Sequence, residues 1–170
     1  MLARMMSKYS PEIQALAKQI LARMRALTPG ATEFVYDNYA GLVIGFGPTE
    51  RPSDAVMSIV LYPRWINLGF LEGALLDDPH RILRGTGTQF RNVKLTAASD
   101  MDAPAVRALI AQAIGSAQPP FNPRRRRTID VRAISAKQRS RRPSSRPAPG
   151  DTVSPGRPRP AIRRRDRPAR

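Results

Sequence analysis

The spacing of apolar residues changes period twice along this chain, and that order limits the fold more than any other feature. Ile13, Leu16, Ala17, Ile20, Leu21 and Met24 recur at the three- and four-residue steps of one helix stripe. Ser10 stands before them as an N-cap, Pro11 suits the first helical position, and Glu12 meets the positive end of the dipole. Thr28-Pro29-Gly30 ends this helix, because Pro29 disfavours helical geometry at the residue before it. From residue 33 the pattern becomes strand-like. Segment 33–39 sets Phe34 and Tyr36 opposite Val35, and Leu42, Ile44 and Phe46 alternate up to Gly47-Pro48. Segment 55–62 is the near-continuous apolar run of a central strand. Segment 65–71 puts Ile66, Leu68 and Phe70 on one face, and 91–95 points Val93 and Leu95 inward. Helical spacing returns with Val106, Leu109, Ile110, Ala113, Ile114 and Ala117, behind Asp102 as cap and Pro104 in the first turn; Gly115 and Pro119-Pro120 close it. Short links between successive strands favour an antiparallel meander, since parallel neighbours need long crossovers. The expected fold is α+β: a two-layer sandwich with an antiparallel sheet of about five strands and the N- and C-terminal helices on one face.

Charge divides the chain a second way. Residues 1–117 carry 12 Lys/Arg against 10 Asp/Glu, whereas 118–170 carry 17 against 3, together with 10 of the 17 prolines. Aromatic residues stop at Phe121. High charge and proline with few large apolar groups leave too little surface to bury against the entropy of ordering. The expected organisation is a folded domain over 1–117 and a disordered Arg/Pro-rich basic tail over 118–170.

Several chemistries are excluded by residue type. The chain has no cysteine, so it builds no disulfide, thiolate nucleophile or Cys-ligated metal centre. His80 is the only histidine, follows Asp78-Pro79 in a loop, and cannot supply a triad or a His-rich metal site. No apolar run approaches the roughly 20 residues of a membrane span, and MLARMMSKYS lacks the apolar region of a secretory signal, so the expected compartment is the cytosol. Glu33 and Asp37 share a strand face but lie about 13 Å apart, too far to hold one ion. No carboxylate pair reads as a general acid–base set, and the expectation is a non-enzymatic protein without cofactor or metal.

The tail carries the strongest functional signal. Arg124, Arg125, Arg126 and Arg127 are followed by Arg139, Arg141 and Arg142, then by Arg163, Arg164 and Arg165. Arginine outnumbers lysine 16 to 1 in this segment, and guanidinium groups bind phosphate through two parallel hydrogen bonds. No aromatic side chain beyond Phe121 is available to stack on bases, which points to non-specific nucleic-acid contact. A merely solvated tail is the alternative. An anionic membrane surface fits less well, because no apolar anchor accompanies the charges.

The run Leu61-Tyr62-Pro63-Arg64-Trp65-Ile66-Asn67-Leu68-Gly69-Phe70 continues to Gly73, Leu76, Asp78-Pro79, Leu83, Gly85, Gly87 and Arg91. With the Tyr9–Pro11 entry to the first helix, Tyr36, Tyr39 and the stretch 100–113, it resembles the YdhG-like domain family over roughly residues 9–117. That resemblance implies a frataxin-like fold, with helices on one side of an antiparallel sheet, and as an alternative function an iron- or metal-handling chaperone role. Frataxin-type iron binding leans on a ridge of carboxylates. Here the first helix offers Glu12 among Lys8, Lys18, Arg23 and Arg25, and a basic helix repels an unchelated cation.

Two places in the folded part are candidate ligand sites. A sheet covered on one side only leaves its other face free, and Tyr62, Arg64, Trp65 and Asn67 there form a shallow binding surface or a dimer face, with a merely solvated face as the competing reading. Gly85-Thr86-Gly87-Thr88 offers backbone N–H groups for a small anionic ligand, with Arg84 and Arg91 close by; the simpler reading is a tight turn. Asp78 either joins that loop site with Arg91 or caps the turn after Pro79.

Overall fold

The computed structural model describes residues 1–143. A short α1 (Leu2–Met6) precedes α2 (Pro11–Leu27), whose cap is Ser10: the side-chain oxygen accepts from the Ile13 N–H at 3.5 Å. Five strands follow, β1 (Thr32–Asp37), β2 (Leu42–Gly47), β3 (Met57–Leu61), β4 (Ile66–Phe70) and β5 (Arg91–Leu95), and then α3 (Pro104–Gly115). Each of these pairs antiparallel with its sequence neighbour. Register explains the core. Val35, Ile44, Ile59, Leu68 and Val93 lie in one row across the sheet, and Leu42, Leu61, Ile66 and Leu95 lie in the next. These rows form one buried cluster with Ile13, Ile20 and Met24 of α2 and Val106, Leu109 and Ile110 of α3. Both helices therefore cover the same face. Burial of each large side chain contributes about 1.5–3 kcal/mol.

The opposite face carries two rows, Phe34–Gly45–Ser58–Gly69–Asn92 and Tyr36–Val43–Val60–Asn67–Lys94. Gly69 is small for a reason. A Cβ there would stand 2.6 Å from both the Phe90 ring and the Ser58 hydroxyl, so the missing side chain lets Phe90 lie on the strand.

Three expectations need correction. Among the described residues the sheet has six strands, not five, and is mixed: β6 (Thr128–Ile134) pairs parallel with β1, giving the order β5-β4-β3-β2-β1-β6. The boundary at 117/118 is misplaced for the same reason, since the chain remains ordered on the body through residue 143. Counting apolar groups overlooked what this segment gains. It adds backbone pairing along an open strand edge, Phe121 and Val131 packed on the core, and ion pairs to buried carboxylates. The part of the expected disordered tail beyond residue 143 lies outside the described residues. Asp102 does not cap α3; it pairs with Arg23 at 3.1 Å, and a 3-10 turn ending at that residue leads into the helix.

Candidate functional site

Glu33, Val35 and Asp37 alternate along β1 toward the helices, so two carboxylates enter the core face. Glu33 is 0% exposed and Asp37 1%. Ionised groups there need partners, and each takes one cation from the start of the chain and one from its end. Arg25 grips both Glu33 oxygens at 2.7 Å while Arg127 approaches to 3.4 Å. Lys8 donates to Asp37 Oδ2 at 2.7 Å, and Arg141 donates to Oδ1 at 2.8 Å. Arg141, 5% exposed, also donates to the carbonyls of Asn38 and Tyr39 and lies 5.6 Å above the Tyr9 ring. Residues 118–143 thus form a strap along β1, closed at each end by a carboxylate.

Gly30 fixes where the strap begins. Its φ is +75°, and a Cβ would meet the Asn122 carbonyl oxygen at 2.0 Å and that of Arg125 at 3.0 Å, so the strap rests directly on this glycine. Titration behaviour follows the same contacts. Burial alone would raise the Asp37 carboxyl, but hydrogen bonds from Lys8 and Gln138 and the charges of Lys8 and Arg141 outweigh it and hold the group below its ordinary range. The Glu33 hydrogen bonds raise Arg25. Tyr9 bridges the sheet, donating to the Leu61 carbonyl at 3.0 Å and accepting from the Leu42 N–H at 2.9 Å; its burial pushes the phenol up to about 12.

The arginines expected to bind nucleic acid divide accordingly. Arg125 donates to the Pro48 carbonyl at 2.8 Å and to Glu50 at 3.1 Å, and Arg127 and Arg141 face the buried acids. Carboxylates and carbonyls of the body therefore engage three of the arginines expected to contact nucleic acid, with Arg141 buried and Arg127 still half exposed. Arg124, Arg126, Arg139 and Arg142 are exposed. Arg163, Arg164 and Arg165 lie outside the described residues.

The ligand-site candidates separate as well. Tyr62 and Trp65 meet on the open face with ring centroids 5.3 Å apart, Lys94 Nζ stands 5.0 Å from the Trp65 ring, and Asn67 lies opposite Lys94 in the register. Asn67 Oδ1 is buried without a hydrogen-bond partner. Asp78 and Arg91 do not join this cluster. Asp78 accepts from the Ile82 and Leu83 N–H groups at 3.1 and 2.8 Å and so holds a turn. Arg91 sits at the far end of β5, about 13 Å along the strand from Leu95, and donates to the carbonyls of Gly87 and Phe90. Asp78 and Arg91 do not pair, so the loop site they were expected to form is not assembled. Gly85, with φ of +121°, makes the turn that the simpler reading of this loop gave.

Sequence reasoning missed Lys8, Tyr9, Arg25, Glu33 and Asp37 as members of two ion-pair clusters, one around each buried carboxylate of β1. The available signal was two carboxylates on the same strand face as Val35. Among the described residues no three His, Asp or Glu side chains converge as metal ligands, and no helix is long and apolar enough to cross a membrane. No family model, no curated protein and no solved structure matches this chain.

Proposed function

We propose that the chain is a non-enzymatic binding module that contacts nucleic acid or another polyanion without sequence preference through its C-terminal arginines. The observation that carries this reading lies at the strap's start: Arg125 and Arg127 pair with acids of the body, Arg127 while still half exposed, and Arg124 before them and Arg126 between them are exposed. Anchored neighbours present the free guanidinium groups from a fixed edge of the sheet, which lowers the entropy cost of their binding phosphate. The residues after 143 add eight further arginines and two aspartates. We read the folded part as a YdhG-like domain, in which the Tyr62, Trp65, Asn67 and Lys94 surface takes a small anionic ligand; the cation over the indole supports that choice. The metal-handling alternative has no converging acid cluster among the described residues to favour it.

The test is duplex-DNA binding by the full chain and by a 1–143 truncation, which keeps the strap. Neutralising about six phosphates lowers affinity about 10³-fold between 50 and 200 mM salt. The full chain should show that loss, and the truncation should bind more weakly with a shallower salt slope. A full chain insensitive to salt, or an Arg124→Met/Arg126→Met chain that binds as tightly as the native one at low salt, would refute the reading.

A further inference from the structure

A cavity of about 200 Å³ lies at the end of the sheet where the loop after β2 meets the last turn of α3. Its apolar wall is formed by Val56, Phe70, Leu76, Ala113 and Ala117. The charged residues that line it are Asp54 and Glu72, with no lysine or arginine among the lining residues. That is unusual in a chain of net charge +16. Arg51 and Arg125 line the adjoining open groove instead.

Two further features point the same way. The carbonyl end of α3 borders the cavity at Ser116 and Ala117, and this helix has no basic residue in its last turn to meet the negative end of its dipole. Asp54 is oriented by the Thr49 and Ser53 hydroxyls, at 2.5 and 3.1 Å; those hydrogen bonds, with a smaller contribution from the nearby charge of Arg51, hold its carboxyl low, so it is charged at neutral pH. Apolar walls, two acids and a helix C-terminus together select a cation with a hydrocarbon body. An apolar cavity of about 150 Å³ admits a benzene-sized molecule, so this one accommodates a ligand of a few more non-hydrogen atoms.

We propose that the cavity between Asp54, Glu72 and the C-terminus of α3 is a binding site for a small alkylammonium ligand, the ammonium between the carboxylates and the hydrocarbon against Val56, Phe70 and Leu76. The site is separate from the polyanion surface and opposite to it in charge.

The experiment titrates the full chain, at a fixed salt concentration, with n-pentylammonium, pentan-1-ol and pentanoate while backbone amide NMR shifts are followed. Pentylammonium should give saturable shifts at Val56, Ala113, Ser116 and Ala117. Pentan-1-ol should bind at least fivefold more weakly, and pentanoate should leave those amides unmoved. Asp54→Asn and Glu72→Gln should each weaken pentylammonium at least fivefold and leave pentan-1-ol unchanged. Glu72 is exposed, so Glu72→Gln keeps the fold and decides the matter even if Asp54→Asn loses it. Equal binding of the alcohol and the ammonium, no effect of Glu72→Gln, or shifts that avoid the cavity would each overturn the assignment.

Discussion

Replacing Arg141, Arg127 and Arg125 one at a time by Met removes the same charge from the same segment, yet the three variants should differ several-fold in stability. Met retains much of the apolar stem's packing, so the partners of the lost guanidinium decide the cost. Arg141 is buried against Asp37, which is itself 1% exposed. Removing one partner of a buried pair costs about 3–5 kcal/mol. Lys8 remains on the other oxygen at 2.7 Å, which places the expected loss near the lower end, about 3 kcal/mol. Arg127 is half exposed and 3.4 Å from Glu33, which keeps the two-point grip of Arg25, so its loss should cost about 1 kcal/mol or less. Arg125 pairs with a Glu50 that is 79% exposed and also donates to the Pro48 carbonyl, for a loss of about 1 kcal/mol. Urea unfolding of the full chain, read by far-ultraviolet circular dichroism, resolves these differences, and Arg141→Met should also lower Tm by on the order of 10 °C. If the three variants fall within about 0.5 kcal/mol of one another, burial does not set the value of these pairs and the reasoning is wrong.

Gly30→Ala should loosen the strap selectively: the new Cβ collides with the Asn122 carbonyl at a φ of +75°, so amide exchange should accelerate across 118–143 while α2 and β3 stay protected. Unchanged exchange in the strap would contradict the close approach. The lowered Asp37 carboxyl gives a pH dependence of definite sign. Its contribution is present above the ordinary carboxyl value of 3.8 and is lost as pH falls through its lower folded value. The stability gap between the native chain and Asp37→Asn should therefore be constant from pH 7 to 5 and close below about 4; a gap that widens in acid would reverse the argument. In DNA binding, Arg124→Met with Arg126→Met should reduce the salt slope by about 1.8, whereas Arg125→Met with Arg127→Met should leave it nearly unchanged. Equal effects of the two pairs would mean that the anchored arginines are as available as the exposed ones.

Much of the body was legible because periodicity reports burial directly. Helix α2 begins at Pro11 behind Ser10, α3 ends at Gly115, and β5 occupies 91–95, all as the apolar spacing and the punctuation by proline and glycine require, whereas the short α1 before them was not read from the sequence. Tyr62 and Trp65 also fall on the open face that alternation assigns them. The strap was illegible by that rule. Thr128–Ile134 has a mixed sequence whose side chains are mostly exposed, and backbone pairing to the β1 edge holds it where apolar burial does not. Pairing of that kind leaves no period in the sequence, because any residue but proline can supply it.

Charge misled for a related reason. A run of arginines reads as one solvated block, but Arg124 and Arg125 lie in a turn closed by the Arg125 N–H on the Asn122 carbonyl, and the change of chain direction there lets half of the run, Arg125 and Arg127, reach acids of its own protein. Glu33 and Asp37 decide which half. Each stands on a strand face otherwise filled by Val35, Ile44 and Leu42, where an ionised group without a partner is far costlier than the entropy of fixing one arginine. The two buried acids therefore take two cations apiece from outside the sheet, and Arg127 and Arg141, fourteen residues apart on either side of β6, meet the demand that Lys8 and Arg25 leave open. The cationic surplus of this chain is not a single reservoir for a polyanion. Part of it closes the sheet, and the part that remains exposed is placed by the part that does not.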